Sequence, residues 1–383
     1  MNQTFISAEE QQPADCISDE AGWKQMNLPF TSEFLWRESI LDTRDVDEDL
    51  KIGCTLDRGC DPVQAICSHD AIHELAKSVE LQFGSEDILR RNANLLQKLG
   101  VPGGRFRRLR RLPSSWRTDI DELEGAFPNF GDVLDYVRSM ASLAELGDGV
   151  IRLDALVFDG SPGTGKSIFA EQLASVIAGG FERMQMSTAE SGSQIGGSAT
   201  TWSNSRPGLI FEALINGYYA NPLVLLDELD KAPTSSGERF SPIGPLYQLL
   251  ERPAARTFRD LSVPSLAVDA SAVTWVATTN ECHLLPAPIL SRLYVFDVKL
   301  PSASQATRVV RSVMRKLSEE EPTLAKFKLT EDAVSKLATS APRAMRGLVR
   351  RACGQAALAS RWTVGPGDVS DAGPKRPSIG FCA

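Results

Sequence analysis

From Ala155 onward, short apolar runs alternate with longer segments of helical period. The runs are "ALVF" (155–158), "LVLL" (223–226), "VTWVAT" (273–278) and "LYVF" (293–296), each beside turn residues or polar stretches. Continuous apolarity over so short a span marks strands covered on both faces, as in a parallel sheet with helical crossovers. A weaker run, "ERMQM" (182–186), supplies a fifth strand. After Pro301 such runs stop, and 303–361 reads as wholly helical. The expected fold class is α/β: a parallel five-stranded sheet with flanking helices, then a C-terminal α-helical lid domain.

Ahead of the sheet, 70–99 reads as two helices around Gly84, and "VPGG" closes that region. The stretch "RFRRLRRLPSSWR" then places six arginines between Arg105 and Arg117. No aromatic interleaving or base-reading motif accompanies them, so a solvated linker helix is preferred over a nucleic-acid surface. Residues 1–50 hold 12 Asp and Glu against 3 Lys and Arg, so the net charge of -8 belongs to this arm. The rest of the chain is close to neutral and its charge says little about partners. The expected division is 1–118, a mostly helical N-terminal region; 119–300, the α/β domain; 301–372, the helical domain; and 373–383, a tail.

Composition narrows the class. No run of about 18 apolar residues offers a membrane span. The polar, acidic start "MNQTFISAEEQQPADC" is unlike a secretory leader, and seven cysteines at irregular spacing suit free thiols, so a cytoplasmic location is expected. Cys54, Cys60, Cys67, His69 and His73 cluster in sequence, but their spacing lacks a paired C-x₂₋₄-C knuckle. Buried structural thiols are preferred there over a zinc site.

The chemistry lies in the second half. Gly160-Ser161-Pro162-Gly163-Thr164-Gly165-Lys166-Ser167 fits G-x-x-x-x-G-K-[ST] between a strand and a helix. Its glycines let backbone N–H groups cradle phosphate oxygens, Lys166 reaches the β and γ phosphates, and Ser167 holds Mg²⁺. "NPLVLLDELDKAP" ends a buried strand in Asp227 and Glu228. At the carboxyl edge of the sheet Asp227 orients Mg²⁺ and Glu228 activates water, which makes the site a hydrolase. "VTWVATTNE" brings Asn280, a neutral amide, to the same edge. Arg292, in "LLPAPILSRLYVF", is expected to reach a neighbouring subunit's nucleotide as an arginine finger. Of the arginines in "SAPRAMRGLVRRACGQAAL", Arg346 is the candidate for bending back onto the phosphates.

In this order the parts resemble an AAA+ ATPase, and within that superfamily the ATPase module of Lon-type proteases. "FPNF", "DGVIRLDALVFDG", "RTFRDLSVPSLAVDASAVTWVATTN" and "RAMRGLVRRA" look like Lon-module segments, and the resemblance covers about 119–372. It implies ATP and Mg²⁺ as cofactors, assembly into a homo-oligomeric ring, expected to be a hexamer, and a protein substrate. Lon continues into a protease domain. Here "VSDAGPKRPSIGFCA" stands about where that domain would begin, so proteolysis is not carried over and a separately encoded protease is the expected partner.

One residue separates two readings. Trp202 stands in "GGSATTWSNSRPGLI", a loop of small polar residues with little for an indole to bury against. Translocating members of the superfamily carry an aromatic on a loop before the Asp-Glu strand, facing a central pore. Trp202 there implies a chaperone-like remodeller that threads its client. A Trp packed under the neighbouring helices leaves the alternative, a nucleotide-dependent switch or loader acting on DNA or a protein complex without threading.

Overall fold

The computed structural model describes residues 61–82, 84–202, 204–233, 241–340 and 342–370. Five strands form one parallel sheet: β3 (Leu156–Asp159), β4 (Phe181–Gln185), β5 (Leu223–Asp227), β6 (Thr274–Thr279) and β7 (Tyr294–Asp297), laid side by side as β4-β5-β6-β3-β7. Every residue of β5 and β6 is buried, which accounts for their unbroken apolarity. The edge strands β4 and β7 have one strand partner each and carry exposed positions, which is why "ERMQM" gives the faintest signal.

The N-terminal part contributes α1 (His69–Glu80) and α2 (Glu86–Leu99), followed by α3 (Trp116–Ala126) and α4 (Gly131–Glu145). Helix α3 begins slightly before the expected start of the α/β domain. It packs with α4 and α5 (Lys166–Ile177) on one face of the sheet, around a core that includes Ile120, Leu134, Leu173 and Leu225. The segment "FPNF" supplies Phe130 to that core, with Phe127 packed against it. The rings of Phe130 and Phe169 stack with centroids 4.0 Å apart, and Phe127 and Phe158 meet Phe169 edge-on. Such ring pairs add about 0.5–1.5 kcal/mol each beyond their buried area. They also fix α5, whose first turn is the phosphate loop, to the strand that precedes it.

The arginine stretch is not a solvated linker helix. Residues Phe106–Arg108 form strand β2, antiparallel to β1 (Val63–Ala65). Arg107 donates to the carbonyls of Leu214 and Ile215, and Arg110 to those of Ala178 and Ser175. These carbonyls lie at the C-terminal ends of α6 (Leu209–Asn216) and α5, where helices leave acceptors unpaired and the dipole favours cations. The expected solvated linker helix fails because the helix-end partners of these arginines lie more than sixty residues away in sequence, which no local pattern reports.

The helical domain comprises α7 (Ala303–Glu320), α8 (Glu331–Ala338) and α9 (Pro342–Leu358) around Val310, Leu317, Val334, Leu337 and Val349. It is not wholly helical: Lys328–Leu329 pairs in parallel with Thr363–Val364. A strand of two residues is too short for a pattern of its own. Ser302 and Gln305 form a capping box at the start of α7, and the Gln305 amide also donates to Pro128 O at 2.7 Å. That bond and Lys316 Nζ to Gln172 Oε1 at 2.8 Å join the helical domain to the sheet domain. Among the described residues no helix is long and apolar enough to cross a membrane.

Candidate nucleotide site

The carboxyl ends of β3, β5 and β6 open into a cleft of about 590 Å³ between the sheet domain and the helical domain. After β3 the chain turns at Gly160, whose φ of +149° suits glycine and whose added Cβ would sit 2.2 Å from Val298 O. Gly165, left-handed at φ +96°, caps α5 and lets the preceding amides turn toward the helix N-terminus. Residues Pro162 to Ser167 line the cleft, whereas Gly160 and Ser161 do not.

Lys166 folds over this loop. Its ammonium donates to the carbonyls of Gly160 and Ser161 and, at 3.3 Å, to Asn280 Oδ1. Burial pulls its pKa below the usual lysine value, and Asp159, Asp230, Asp227 and Glu228 oppose that shift. An ammonium bound to weak neutral acceptors within a ring of carboxylates is poised to exchange those carbonyls for a polyanion.

Asp227 is buried at the end of β5. Its Oδ1 accepts from Ser167 Oγ at 2.7 Å and Thr278 Oγ1 at 2.6 Å, and its Oδ2 accepts from Arg183. Burial pushes the carboxyl up, but the hydrogen bonds from Thr278, Ser167 and Arg183 outweigh it and hold the group below its ordinary value. Glu228 follows in the left-handed region, at φ +56° and ψ +51°. A non-glycine residue there stores about 1–2 kcal/mol, a strain typical of residues held for function. Its N–H donates to Thr278 Oγ1 at 2.9 Å, and its carboxylate accepts from Lys231 Nζ at 2.6 Å and Gln185 Nε2 at 2.8 Å. The Lys231 bond is the main reason its pKa lies below the usual value. Asn280 is fixed from behind, its N–H donating to Asp230 Oδ2 at 3.1 Å.

The structure thus gathers Lys166, Ser167, Asp227, Glu228 and Asn280 in one cleft. Arg346 reaches its wall from α9, held by Glu320, with Nη1 to Oε1 at 2.9 Å. Arg292 lies outside the lining, paired with Glu251 and with the carbonyl of Pro288. Trp202 is elsewhere again, on a turn with 60% of its surface exposed, so it is not packed under the helices near β5. Cys67 is buried with its thiol pushed up to about 11, chiefly by burial. Cys54 and Cys60 lie outside the described residues, and among those described no group of three or more candidate ligands could hold a metal ion.

Sequence reasoning missed Arg183, Gln185 and Thr278. The first two lie two apart on β4, and Gln185 pairs in register with Asp227, so both face the cleft. Their charge and amide inside a weak strand pattern were the available signal. Thr278 reads in the sequence only as part of a strand, although its hydroxyl bonds both the Asp227 carboxylate and the Glu228 N–H.

Hard oxygen donors (the Ser167 hydroxyl and the Asp227 carboxylate) beside a backbone cradle and a buried lysine fit a divalent cation held with a phosphate chain. The family described as "ATPase family associated with various cellular activities (AAA)" matches residues 156–301. A mitochondrial Lon protease homologue of Phaeodactylum tricornutum is 31% identical over 213 residues, 54% of this chain and 24% of that protein. Lon protease 4 of Sorangium cellulosum is 30% identical over 189 residues, 49% of this chain and 23% of that protein. The chain therefore spans about a quarter of the length of the curated relatives it matches. Among solved structures, the Thermotoga maritima RuvB Holliday junction branch migration motor aligns at 14% identity and a TM-score of 0.43, over 62% of this chain and 66% of that one.

Proposed function

We propose, given that this chain carries an AAA ATPase module related to that of Lon proteases, that it hydrolyses ATP with Mg²⁺ in a homo-oligomeric, expectedly hexameric, ring. The work of the cycle is the remodelling of a protein client. The observation that carries the hydrolytic reading is Thr278: its one hydroxyl donates to the Asp227 carboxylate beside Ser167 and accepts from the Glu228 backbone N–H, tying the metal-side carboxylate to the backbone that presents Glu228.

ATP and Mg²⁺, when bound, supply the phosphoanhydride and the charge that its cleavage redistributes. Lys166 would leave the carbonyls of Gly160 and Ser161 and hold phosphate oxygens. Ser167 and Asp227 would hold the cation, directly and through water. Glu228, kept anionic by Lys231, orients the attacking water and takes up its proton. Asn280 positions the same water without adding negative charge. Arg346 closes the site from the helical domain, and Arg292 serves the site of a neighbouring subunit.

Trp202 supports the threading reading. An exposed indole on a turn of small residues offers a flat apolar face to an extended polypeptide. In the arginine stretch, Arg107 and Arg110 are committed to internal carbonyls. The test is a trap. Glu228→Gln should bind ATP, lose hydrolysis by about 100-fold or more, and co-purify with its client. Undiminished phosphate release by this variant would overturn the mechanism. For threading, Trp202→Ala should lower client unfolded per ATP hydrolysed; an unchanged ratio would return the switch reading to first place.

A further inference from the structure

The turn that bears Trp202 is held at its base by a buried carboxylate and by an arginine from outside the sheet domain. Asp260 is fully buried. Its Oδ2 accepts from Gly208 N at 2.8 Å, and its Oδ1 accepts from Ser262 N at 2.8 Å and Ser262 Oγ at 2.6 Å. The next residue extends the seam, Leu261 N donating to Gly196 O at 2.9 Å. The chain closes on itself where it leaves and returns: Ser198 N donates to Arg206 O at 3.0 Å, Arg206 N to Ser198 Oγ at 2.6 Å, and Ser205 Oγ to Ser198 O at 2.8 Å. The fit admits no side chain. A Cβ on Gly197, at φ +79°, would lie 1.8 Å from Asp260 Oδ1, and one on Gly208 would lie 2.3 Å from Ile195 O.

Arg91 of α2 completes this base. Its Nη1 donates to Ser205 O at 2.9 Å, and its Nη2 donates to Ser262 O. One guanidinium thus bridges the returning limb of the Trp202 turn and the segment that carries Asp260. Helix α6 starts directly after Gly208, and Arg107 grips its far end through the carbonyls of Leu214 and Ile215. Lys98, also of α2, reaches Asn216 Oδ1 at 2.8 Å. The part of the chain before residue 111 therefore holds the C-terminal end of α6 and, through Arg91, the turn that leads into it, and in the chain α6 lies between the Trp202 turn and β5 with its Asp227.

We propose that Arg91 is the positioning residue of the Trp202 turn: together with Asp260 it sets the base of the turn against α2, so that this helix governs how Trp202 grips an extended client. The inference rests on the threading reading for its consequence, and on the hydrogen bonds alone for its structural half. Arg91 lies away from the nucleotide cleft.

The experiment uses the full chain with Arg91→Met and Arg91→Lys. Amide exchange at Ser198, Arg206 and Gly208 should quicken about tenfold or more in Arg91→Met, while β3 and β5 keep their protection. The lysine variant, which can bond only one of the two carbonyls well, should fall between. With an unfoldable protein as client, Arg91→Met should raise the client concentration for half-maximal turnover about fivefold or more at unaltered client-free ATPase. Unchanged exchange at the three amides would overturn the proposal, whatever the client assay gives. Quickened exchange with an unmoved half-saturation would overturn the gripping role. If the unsubstituted protein remodels no client while the exchange result holds, the threading reading fails and the structural half stands. Asp260→Asn keeps the shape of the carboxylate and guards against misfolding; it should reproduce the exchange pattern.

Discussion

At the scale of single residues, the site is a set of side chains whose charge states are fixed before any ligand arrives. Asp227 is the clearest case. Its folded pKa lies below its unfolded value of about 3.9, so the stability it contributes is whole above that pH and is lost as pH falls through the folded value. Arg183→Met removes one of the three hydrogen bonds that hold it down, and the acid-unfolding midpoint should move to higher pH. A midpoint that stays put would show that Arg183 does not stabilise the carboxylate. Thr278→Val should cost more than a lost methyl contact, because it strips a donor from Asp227 and an acceptor from the Glu228 N–H at once; a drop in hydrolysis of about tenfold or more is expected, read as phosphate release at saturating ATP. The P-loop and Asp-Glu residues were legible in the sequence because their spacing is local and the chemistry demands those residue types. Thr278 and Arg183 were not, since each acts through a partner more than forty residues away, and a threonine in a β-strand looks like any β-branched filler.

Among the elements, the sheet was readable strand by strand because burial on both faces leaves runs of one kind. Its order was not, because the sequence carries no local record of which strand lies beside which. The helical domain was legible as helices, and the two-residue strands within it were not. The arginine stretch was misread for a reason of range: capping a distant helix end looks, in sequence, like a basic surface. The aromatic packing offers a direct check on how α5 is held. Phe130→Ala leaves a void between Phe127, Phe158 and Phe169 and should cost about 3–5 kcal/mol, visible as a lower denaturant midpoint. A loss under about 1 kcal/mol would mean that the stack does not anchor the first turn of α5.

On the scale of the whole molecule, the central expectation concerns assembly. If Arg292 completes a neighbour's site, ATPase activity per chain should rise with protein concentration, and Arg292→Ala should flatten that rise; equal curves for the two proteins would remove the arginine from the neighbour's site. Within one chain, however, Arg292 is already engaged, by Glu251 and by the carbonyl of Pro288. That engagement couples two equilibria. Only chains whose arginine has left Glu251 can offer it across an interface, so the apparent association constant is the intrinsic one scaled by the released fraction. Added salt screens both the internal pair and the attraction between subunits. Activity against ionic strength should then pass through a maximum instead of falling steadily, and Glu251→Gln, which removes the salt-sensitive internal partner and leaves the Pro288 carbonyl, should leave only the falling limb.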